Sequence, residues 1–146
     1  MSAFAVGIDF GTESGRVSVA DTVSGRVVGR AEHRYASGAI VDHLPGSDVR
    51  LPDDFELQDP ADHLAVLESA VPEALRQAGV APGSVVGVGI DATACTPLPV
   101  DAHGTPLCFQ PALRREPHAW MKLCKHHATV PEADRVTAVA AARGEP

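Results

Sequence analysis

Three strand-like segments follow one another before the first helix of this chain, and that order restricts the fold more than any other sequence feature. The first is the short apolar run from Ala3 to Phe10, and the second, Arg16 to Ala20, alternates apolar and polar residues. A turn-forming stretch at 21–25 precedes the third, from Arg26 to Tyr35. The pattern predicts an antiparallel meander.

A long irregular segment and one helix follow the meander. Residues 37–58 carry many glycine, proline and aspartate residues with little periodicity, which indicates a loop excursion of the kind that is often functional. Asp59 and Pro60 are typical of a helix start, and Gly79 is typical of a helix end. We expect Pro72 to kink this helix. Its predicted apolar face consists of Leu64, Leu67, Val71, Leu75 and Ala78.

The next segment, Val85 to Ile90, is continuously apolar and ends at Asp91, which predicts a strand buried on both faces. The order β-β-β-α-β indicates an α/β layered domain. A Rossmann fold is excluded because its strands alternate with helices from the start. The chain is expected to be one domain, or part of one.

The last third of the sequence predicts three more elements. Residues 97–109 have the pattern of a hairpin with a glycine-containing turn, and residues 117–128 are expected to be helical. A helix that starts with proline is predicted from Pro131 to Arg143, with Gly144 as its stop. Its inward face is expected to hold Ala133, Val136, Val139 and Ala140.

Composition excludes several classes of protein. The 146 residues are 45% hydrophobic and carry a net charge of −7 without a run of either sign. This argues against disorder and against nucleic-acid or anionic-membrane partners. No apolar stretch approaches the roughly 20 residues that cross a bilayer, so we expect a cytoplasmic protein. The chain has three widely spaced cysteines, a pattern that favours reduced thiols over disulfide bonds or a zinc site.

The densest group of chemically useful residues lies between the first two strands, at 7–16. Asp9 leaves a strand and can hold Mg²⁺ directly or through water, and Gly11 lets backbone amides approach phosphate oxygens. Arg16 can offset phosphate charge. The hydroxyl groups of Thr12 and Ser14 can donate. An ordinary tight hairpin with a polar tip is the alternative interpretation.

A second group, residues 89–96, again places a carboxylate at the end of an apolar strand. Asp91 is followed by small residues, among them Ala94 and Cys95, against which a polyol could lie close to the backbone. Ligands favour the carboxyl ends of strands in open α/β sheets. The alternative is a strand end at which Asp91 caps a turn.

Both groups resemble the start of the FGGY carbohydrate kinases. The likeness covers essentially the whole chain and includes residues 7–16, the stretch 87–97 and the segment from Pro117 to His127. The stretches Asp-Ala-Thr-Ala-Cys-Thr and Lys-His-His resemble those of the members that act on L-ribulose rather than on glycerol or xylulose. The resemblance implies an α/β, actin-like ATPase fold of two RNase H-like domains, of which this chain would be the incomplete N-terminal part of the first.

The same resemblance implies roles for individual residues. The expected ATP and Mg²⁺ site consists of Asp9, Gly11, Thr12, Glu13, Ser14 and Arg16, and the expected ketopentose site of Asp91, Ala94, Cys95, Lys125 and His126. Glu13 replaces a threonine of many relatives. Cys124 stands where the family usually has tryptophan, which weakens the case for a sugar contact from this segment.

The resemblance also implies what these residues lack. The aspartate that deprotonates the sugar, the adenine pocket and the motif that names the family lie further along such kinases, so no catalytic residue is expected here, and these 146 residues alone are expected to be inactive. The expected reaction of the full-length protein is phosphorylation of L-ribulose to L-ribulose 5-phosphate, and a homo-oligomer is left open. The alternatives are a kinase for xylulose, glycerol or a ribitol-type compound, and a non-catalytic actin-like module that binds nucleotide.

Overall fold

The computed structural model describes residues 3–145, which form two sheets and two helices. The helices and strands, in chain order, are β1 (Phe4–Phe10), β2 (Ser14–Asp21), β3 (Val27–Arg34), β4 (Leu57–Gln58), α1 (Pro60–Ala78), β5 (Val85–Ala92), β6 (Met121–Lys122) and α2 (Val130–Ala142). The main sheet has the order β3-β2-β1-β5, and β4 pairs with β6 in a second, two-stranded sheet. The predicted β-β-β-α-β order is confirmed, with the short strands added to it.

The main sheet combines an antiparallel meander with one parallel pair. β1 pairs with β2 and β2 with β3 in antiparallel fashion, as predicted. β5 joins the free edge of β1 in parallel. Since parallel strands run in the same direction, the carboxyl ends of β1 and β5 lie at the same edge of the sheet.

Helix α1 begins and ends as the sequence predicts. The Asp59 side chain accepts a hydrogen bond from the Ala61 N–H, and Gly79 adopts a left-handed conformation with φ of 63° at the C-terminal end. A left-handed residue at this position is most easily a glycine. The helix stays continuous through Pro72, so the proline does not divide it.

The face of α1 that packs on the sheet consists of small residues rather than the predicted leucines. Val66, Ala70 and Ala74 are buried, whereas Leu64 and Leu67 are 49% and 40% exposed. The physical reason lies in two glycines of the sheet. A Cβ on Gly15 would lie 2.4 Å from Val66, and one on Gly29 would lie 2.4 Å from the Ala74 carbonyl oxygen. The helix therefore lies too close to the sheet for large side chains. Val71, Leu75 and Ala78 of the predicted face pack at the margin of this core.

Strand β5 does not have the two buried faces that its apolar sequence predicts. Val86, Val88 and Ile90 are 70%, 61% and 68% exposed. Register places Val88 beside Val6 and Ile90 beside Ile8, so these side chains lie on the α1 side of the sheet. Helix α1 contacts β2 and β3 extensively and packs far less against β5. Val86, Val88 and Ile90 therefore form an exposed apolar strip on β5.

A second hydrophobic core forms between the loop excursion and the last third of the chain. Its buried members are Ile40, Leu44, Leu51, Phe55, Leu57, Cys108, Ala119 and Trp120. None of them belongs to the core under α1. Burial raises the pKa of the Cys108 thiol to about 11, which keeps it protonated and unreactive.

The predicted helix at 117–128 is wrong. A single 3-10 turn at Pro117–Ala119 is followed by β6 and then by irregular structure. The Lys122 ammonium group donates to three backbone carbonyls, of Pro117, His118 and Trp120, at 2.8–3.2 Å. These bonds and the burial of Trp120 hold the segment in a non-helical form. Burial also lowers the pKa of Lys122.

Two other predicted elements are confirmed in part. The hairpin at 97–109 is reduced to one bridge between Val100 and Pro106, around a turn that ends at Gly104. Helix α2 forms, but the face predicted to point inward is exposed, with Val136 68% and Val139 44% accessible. Over residues 3–145, no helix has both the length and the apolar character that crossing a bilayer requires.

Candidate functional site

Two carboxylates lie side by side where β1 and β5 approach their carboxyl ends. Asp9 is the register partner of Asp91 across the parallel pair, and it is also the partner of Arg16 across β1 and β2. Like charges opposite each other repel, and a cation between them relieves the repulsion. The sheet thus brings together the three charged residues Asp9, Arg16 and Asp91, which are far apart or separated by a turn in the sequence.

These three side chains lie on the sheet face opposite α1. Gly15 contacts Val66 of α1, so Arg16, the next residue in the strand, points to the other side. The same alternation places Asp9 and Asp91 on that side, where they line an open depression of about 680 Å³. Gly7 and Gly89 are register partners that also line it, and neither places a side chain there. A ligand can therefore lie directly against the backbone.

Asp9 and Arg16 form an ion pair. Nη2 of Arg16 lies 2.8 Å from Oδ2 of Asp9, and the two side chains are 59% and 43% exposed. An exposed pair of this kind contributes about 0–1 kcal/mol. A stronger partner, such as a metal ion for the carboxylate or a phosphate for the guanidinium group, can therefore separate the two.

The turn between β1 and β2, residues 11–14, directs all four of its carbonyl groups to donors within the protein. The Ser14 carbonyl accepts from the Gly11 N–H at 3.0 Å, and the Glu13 carbonyl accepts from the Tyr35 N–H at 2.9 Å. The carbonyls of Gly11 and Thr12 both accept from the side-chain amide of Gln58, at 3.3 and 2.7 Å. We call these residues the 11–14 turn.

Several donors of the 11–14 turn have no such partner. Within residues 3–145, neither the N–H groups of Thr12 and Glu13 nor the hydroxyl groups of Thr12 and Ser14 make a hydrogen bond. Successive backbone N–H groups in a turn can form an anion-binding concavity, and Thr12 and Glu13 supply two successive free N–H groups. The Glu13 carboxylate lies 3.6 Å from Arg34, on the exposed side of the turn.

A second tight turn, at residues 93–96, follows β5 at the same edge. The Thr93 N–H donates to the Phe10 carbonyl at 3.1 Å, which ties this turn to the end of β1. The Thr96 hydroxyl donates to the Thr93 carbonyl at 2.8 Å and closes the turn. Ala94 and Cys95 form its exposed tip, and Cys95 has a positive φ of 55°. The Asp91 carboxylate accepts from the adjacent Ala92 N–H and makes no bond to residues 93–96.

Neither Lys125 nor His126 contacts Asp9 or Asp91 within residues 3–145, and the contacts of His126 are with other residues. Nδ1 of His126 accepts from the Glu56 N–H at 3.2 Å, and its ring packs edge-on against Phe55. Burial, followed by the charge of the nearby Lys122, lowers the pKa of His126. Lys125 is exposed and makes no hydrogen bond or ion pair with any other residue of 3–145. The structure brings neither side chain into contact with the carboxylate pair.

Gln58 is a residue of this site that sequence reasoning missed. It is 1% exposed and lies directly before the helix cap Asp59. The available signal was a long polar side chain placed between an apolar residue, Leu57, and a helix start.

The carboxylate pair can hold Mg²⁺ of the kind that arrives with a nucleotide. Magnesium ions are commonly bound by one or two carboxylates, with water and substrate phosphates completing the coordination. Asp9 and Asp91 supply two such carboxylates beside the donors of the 11–14 turn. The part of the chain that the structure describes holds no cluster of three or more metal-ligating side chains. The pair therefore fits a metal shared with a phosphorylated ligand better than a structural metal.

Comparison with known proteins gives a consistent set of relatives. No protein-family model matches the chain. The ribulokinase of Mycolicibacterium smegmatis is 50% identical over 143 residues, which are 97% of this chain and 25% of that protein. The ribulokinases of Geobacillus thermodenitrificans and Shouchella clausii are 49% and 46% identical, over 97% and 99% of this chain. The chain spans about a quarter of the length of these relatives.

Solved structures with the same fold are also sugar kinases. A structure described as a "xyloylose kinase" from Brucella ovis matches 97% of this chain and 25% of its own, with a TM-score of 0.68 and 22% identity. A gluconate kinase from Lactobacillus acidophilus matches with a TM-score of 0.65 and 12% identity. The chain therefore has part of the actin-like ATPase fold, and by sequence it is related to the ribulokinases of the FGGY carbohydrate kinase family over about a quarter of their length.

Proposed function

We propose that these residues belong to an ATP-dependent kinase that phosphorylates a ketopentose, L-ribulose, to L-ribulose 5-phosphate. The observation that carries the proposal is the joint placement of the 11–14 turn and the Asp9–Asp91 pair at one sheet edge. Free amide donors suit phosphate oxygens, and a carboxylate pair suits the magnesium ion that accompanies them. Relatives that are 46–50% identical over nearly the whole chain carry the name ribulokinase.

In this proposal the 11–14 turn and Arg16 bind the triphosphate. The N–H groups of Thr12 and Glu13 and the hydroxyls of Thr12 and Ser14 donate to phosphate oxygens. Arg16 leaves Asp9 and offsets the charge of the group being transferred. When bound at Asp9 and Asp91, Mg²⁺ neutralises charge on the phosphates and orients them.

The sugar lies against the 93–96 turn and the glycine-lined part of the depression. Ala94 and Cys95 contact it through their backbone and small side chains, and Asp91 accepts from a sugar hydroxyl or holds the metal. Lys125 and His126 form the outer side of the sugar site. For His126 this requires a contact through Nε2, since Nδ1 already accepts from Glu56.

The proposed reaction is a displacement at the γ-phosphorus. The terminal hydroxyl oxygen of the sugar forms a bond to phosphorus, the bond from phosphorus to the bridging oxygen of ADP breaks, and the hydroxyl proton passes to a base. The residues described here do not supply that base in the proposal. They position the phosphates and the sugar in line, which is the larger share of catalysis in phosphoryl transfer. Use of cellular ATP and a sugar goes with a cytoplasmic location.

The test begins with the gene. The length of the native reading frame is read from the source DNA, and its complete product is assayed for ATP-dependent phosphorylation of L-ribulose. Phosphorylation of L-ribulose, lost in the variant Asp9→Asn and retained in the matched variant Asp134→Asn on exposed α2, supports the proposal. A folded product that does not phosphorylate L-ribulose refutes it.

The same complete gene product distinguishes two alternative functions. The similarity of fold to kinases of other sugars favours a panel with xylulose, glycerol and ribitol beside L-ribulose. The best acceptor by kcat/KM then identifies the substrate. A gene product that binds Mg·ATP tightly and phosphorylates none of the four compounds is instead a non-catalytic nucleotide-binding module.

A further inference from the structure

We propose that Gln58 is a positioning residue that sets the shape of the 11–14 turn and so the affinity for the nucleotide; this inference rests on the proposed function. Gln58 makes no contact with the depression itself. Its side-chain amide donates to the Thr12 carbonyl at 2.7 Å and to the Gly11 carbonyl at 3.3 Å. Two of the four carbonyls of the turn therefore depend on one side chain from a distant part of the chain.

The orientation of the Gln58 amide follows from its chemistry. Only the nitrogen end of the amide can donate to a carbonyl, so Nε2 faces the turn and Oε1 faces away from it. Oε1 is buried and has no hydrogen-bond partner within residues 3–145. An unsatisfied buried acceptor is destabilising, and an apolar side chain of the same size would avoid that cost. A glutamine here is explained by what its nitrogen does for the turn.

The backbone of Gln58 is fixed on both sides, which a positioning role requires. Gln58 pairs with Met121 in the two-stranded sheet, and the preceding residue, Leu57, exchanges two backbone hydrogen bonds with Ile40. Directly after Gln58, the cap Asp59 starts helix α1. The amide nitrogen is thus held at a fixed place relative to the turn.

The direction of the four carbonyls decides which groups the turn presents to a ligand. With the carbonyls of Gly11 and Thr12 held inward, the next N–H groups, of Thr12 and Glu13, remain free to face a phosphate. Without the Gln58 donor, either peptide can rotate and present a carbonyl oxygen to the phosphate instead. Phosphate and carbonyl oxygens repel each other, so the nucleotide is the ligand whose binding suffers.

The test uses the complete gene product with Gln58→Met, which keeps the size of the side chain and removes the donor. We expect KM for ATP to rise roughly 10- to 100-fold, since small misplacements of binding groups have effects of this size. KM for L-ribulose should stay near its original value. Val19→Ala is the matched control, because Val19 is fully buried in the core under α1 and does not touch the turn. It should lower the melting temperature without changing KM for ATP.

The outcomes separate this inference from the proposed function. If Gln58→Met has the same KM for ATP as Val19→Ala, Gln58 is only a structural residue and the inference is wrong. If Gln58→Met does not fold, Gln58→Asn, which keeps the amide but shortens its reach by one methylene, is judged by the same ratio of the two KM values. If the unmodified protein phosphorylates no sugar, the proposed function itself has failed, and the inference fails with it.

Discussion

The substitution Gly15→Ala tests whether the close approach of α1 to the sheet determines the fold. Gly15 lies in β2, directly under the helix. A Cβ at this position would lie 2.4 Å from Cγ2 and 2.7 Å from Cγ1 of Val66. Ordinary contact begins near 3.4 Å, so the helix or the strand must move by about 1 Å. Val66 is fully buried, and as a β-branched residue in a helix it has one strongly preferred rotamer.

The expected cost follows from the overlap. Overpacking of a dense core destabilises by about 1–3 kcal/mol, and an overlap with two methyl groups belongs in the upper half of that range. For a chain of this size, about 2 kcal/mol corresponds to a drop in Tm of roughly 5–10 °C. Far-ultraviolet circular dichroism measures this change well, because α1 is the longest helix. Gly7→Ala is the control, since a Cβ there meets nothing within 4 Å and should leave Tm nearly unchanged.

The double variant Gly15→Ala with Val66→Ala tests whether overlap with Val66 causes the destabilisation. Val66→Ala alone should cost about 2 kcal/mol, from two buried methyl groups and the space they leave. Together with Gly15→Ala it removes the worst overlap, so the double variant should be more stable than the sum of the single effects by about 1–2 kcal/mol. Strict additivity, or an unchanged Tm for Gly15→Ala, would refute the reasoning.

Three further predictions concern other residues. Tyr35→Phe should leave stability unchanged or raise it by up to about 1 kcal/mol in urea titrations, because the buried hydroxyl has no partner within 3–145 and burial raises its pKa to about 12. His63 stacks on Phe10, and burial lowers its pKa. Its contribution to stability is therefore present above the pKa of the unfolded state, near 6.5, and is lost as the pH falls through the lower pKa of the folded state. His63→Phe should flatten the dependence of the unfolding free energy on pH in that acidic window, and an unchanged slope would contradict this. The 146-residue chain should self-associate through the apolar strip on β5, and light scattering should show less association for Ile90→Lys, whereas a monomeric wild-type chain would contradict this.

The sequence was most informative where local chemistry decides the structure. Strand periodicity predicted the meander, and Asp59, Pro60 and Gly79 predicted the ends of α1, because caps and turns depend on neighbouring residues. The carboxylates Asp9 and Asp91 were also found from the sequence, since both follow apolar strands whose carboxyl ends meet.

The sequence failed where distant contacts decide the structure. Residues 117–128 have helical spacing, but the hydrogen bonds of the Lys122 ammonium group and the burial of Trp120 override it. The buried face of α1 was misjudged because its neighbours, Gly15 and Gly29, belong to other strands. Gln58 was missed for the same reason, since its partners lie 46 and 47 residues earlier in the chain.

The two hydrophobic cores share no side chain, and this has a thermodynamic consequence for the 11–14 turn. The core around Trp120 holds β4, and β4 holds the Gln58 amide against the turn. A local opening of that core therefore withdraws a donor from the turn while the core under α1 keeps its own contacts. By linkage, a ligand that needs the ordered turn also stabilises the core around Trp120, although it touches none of its side chains. The fraction of molecules in which residues 107–123 are ordered and the affinity for the nucleotide then report on the same local opening equilibrium.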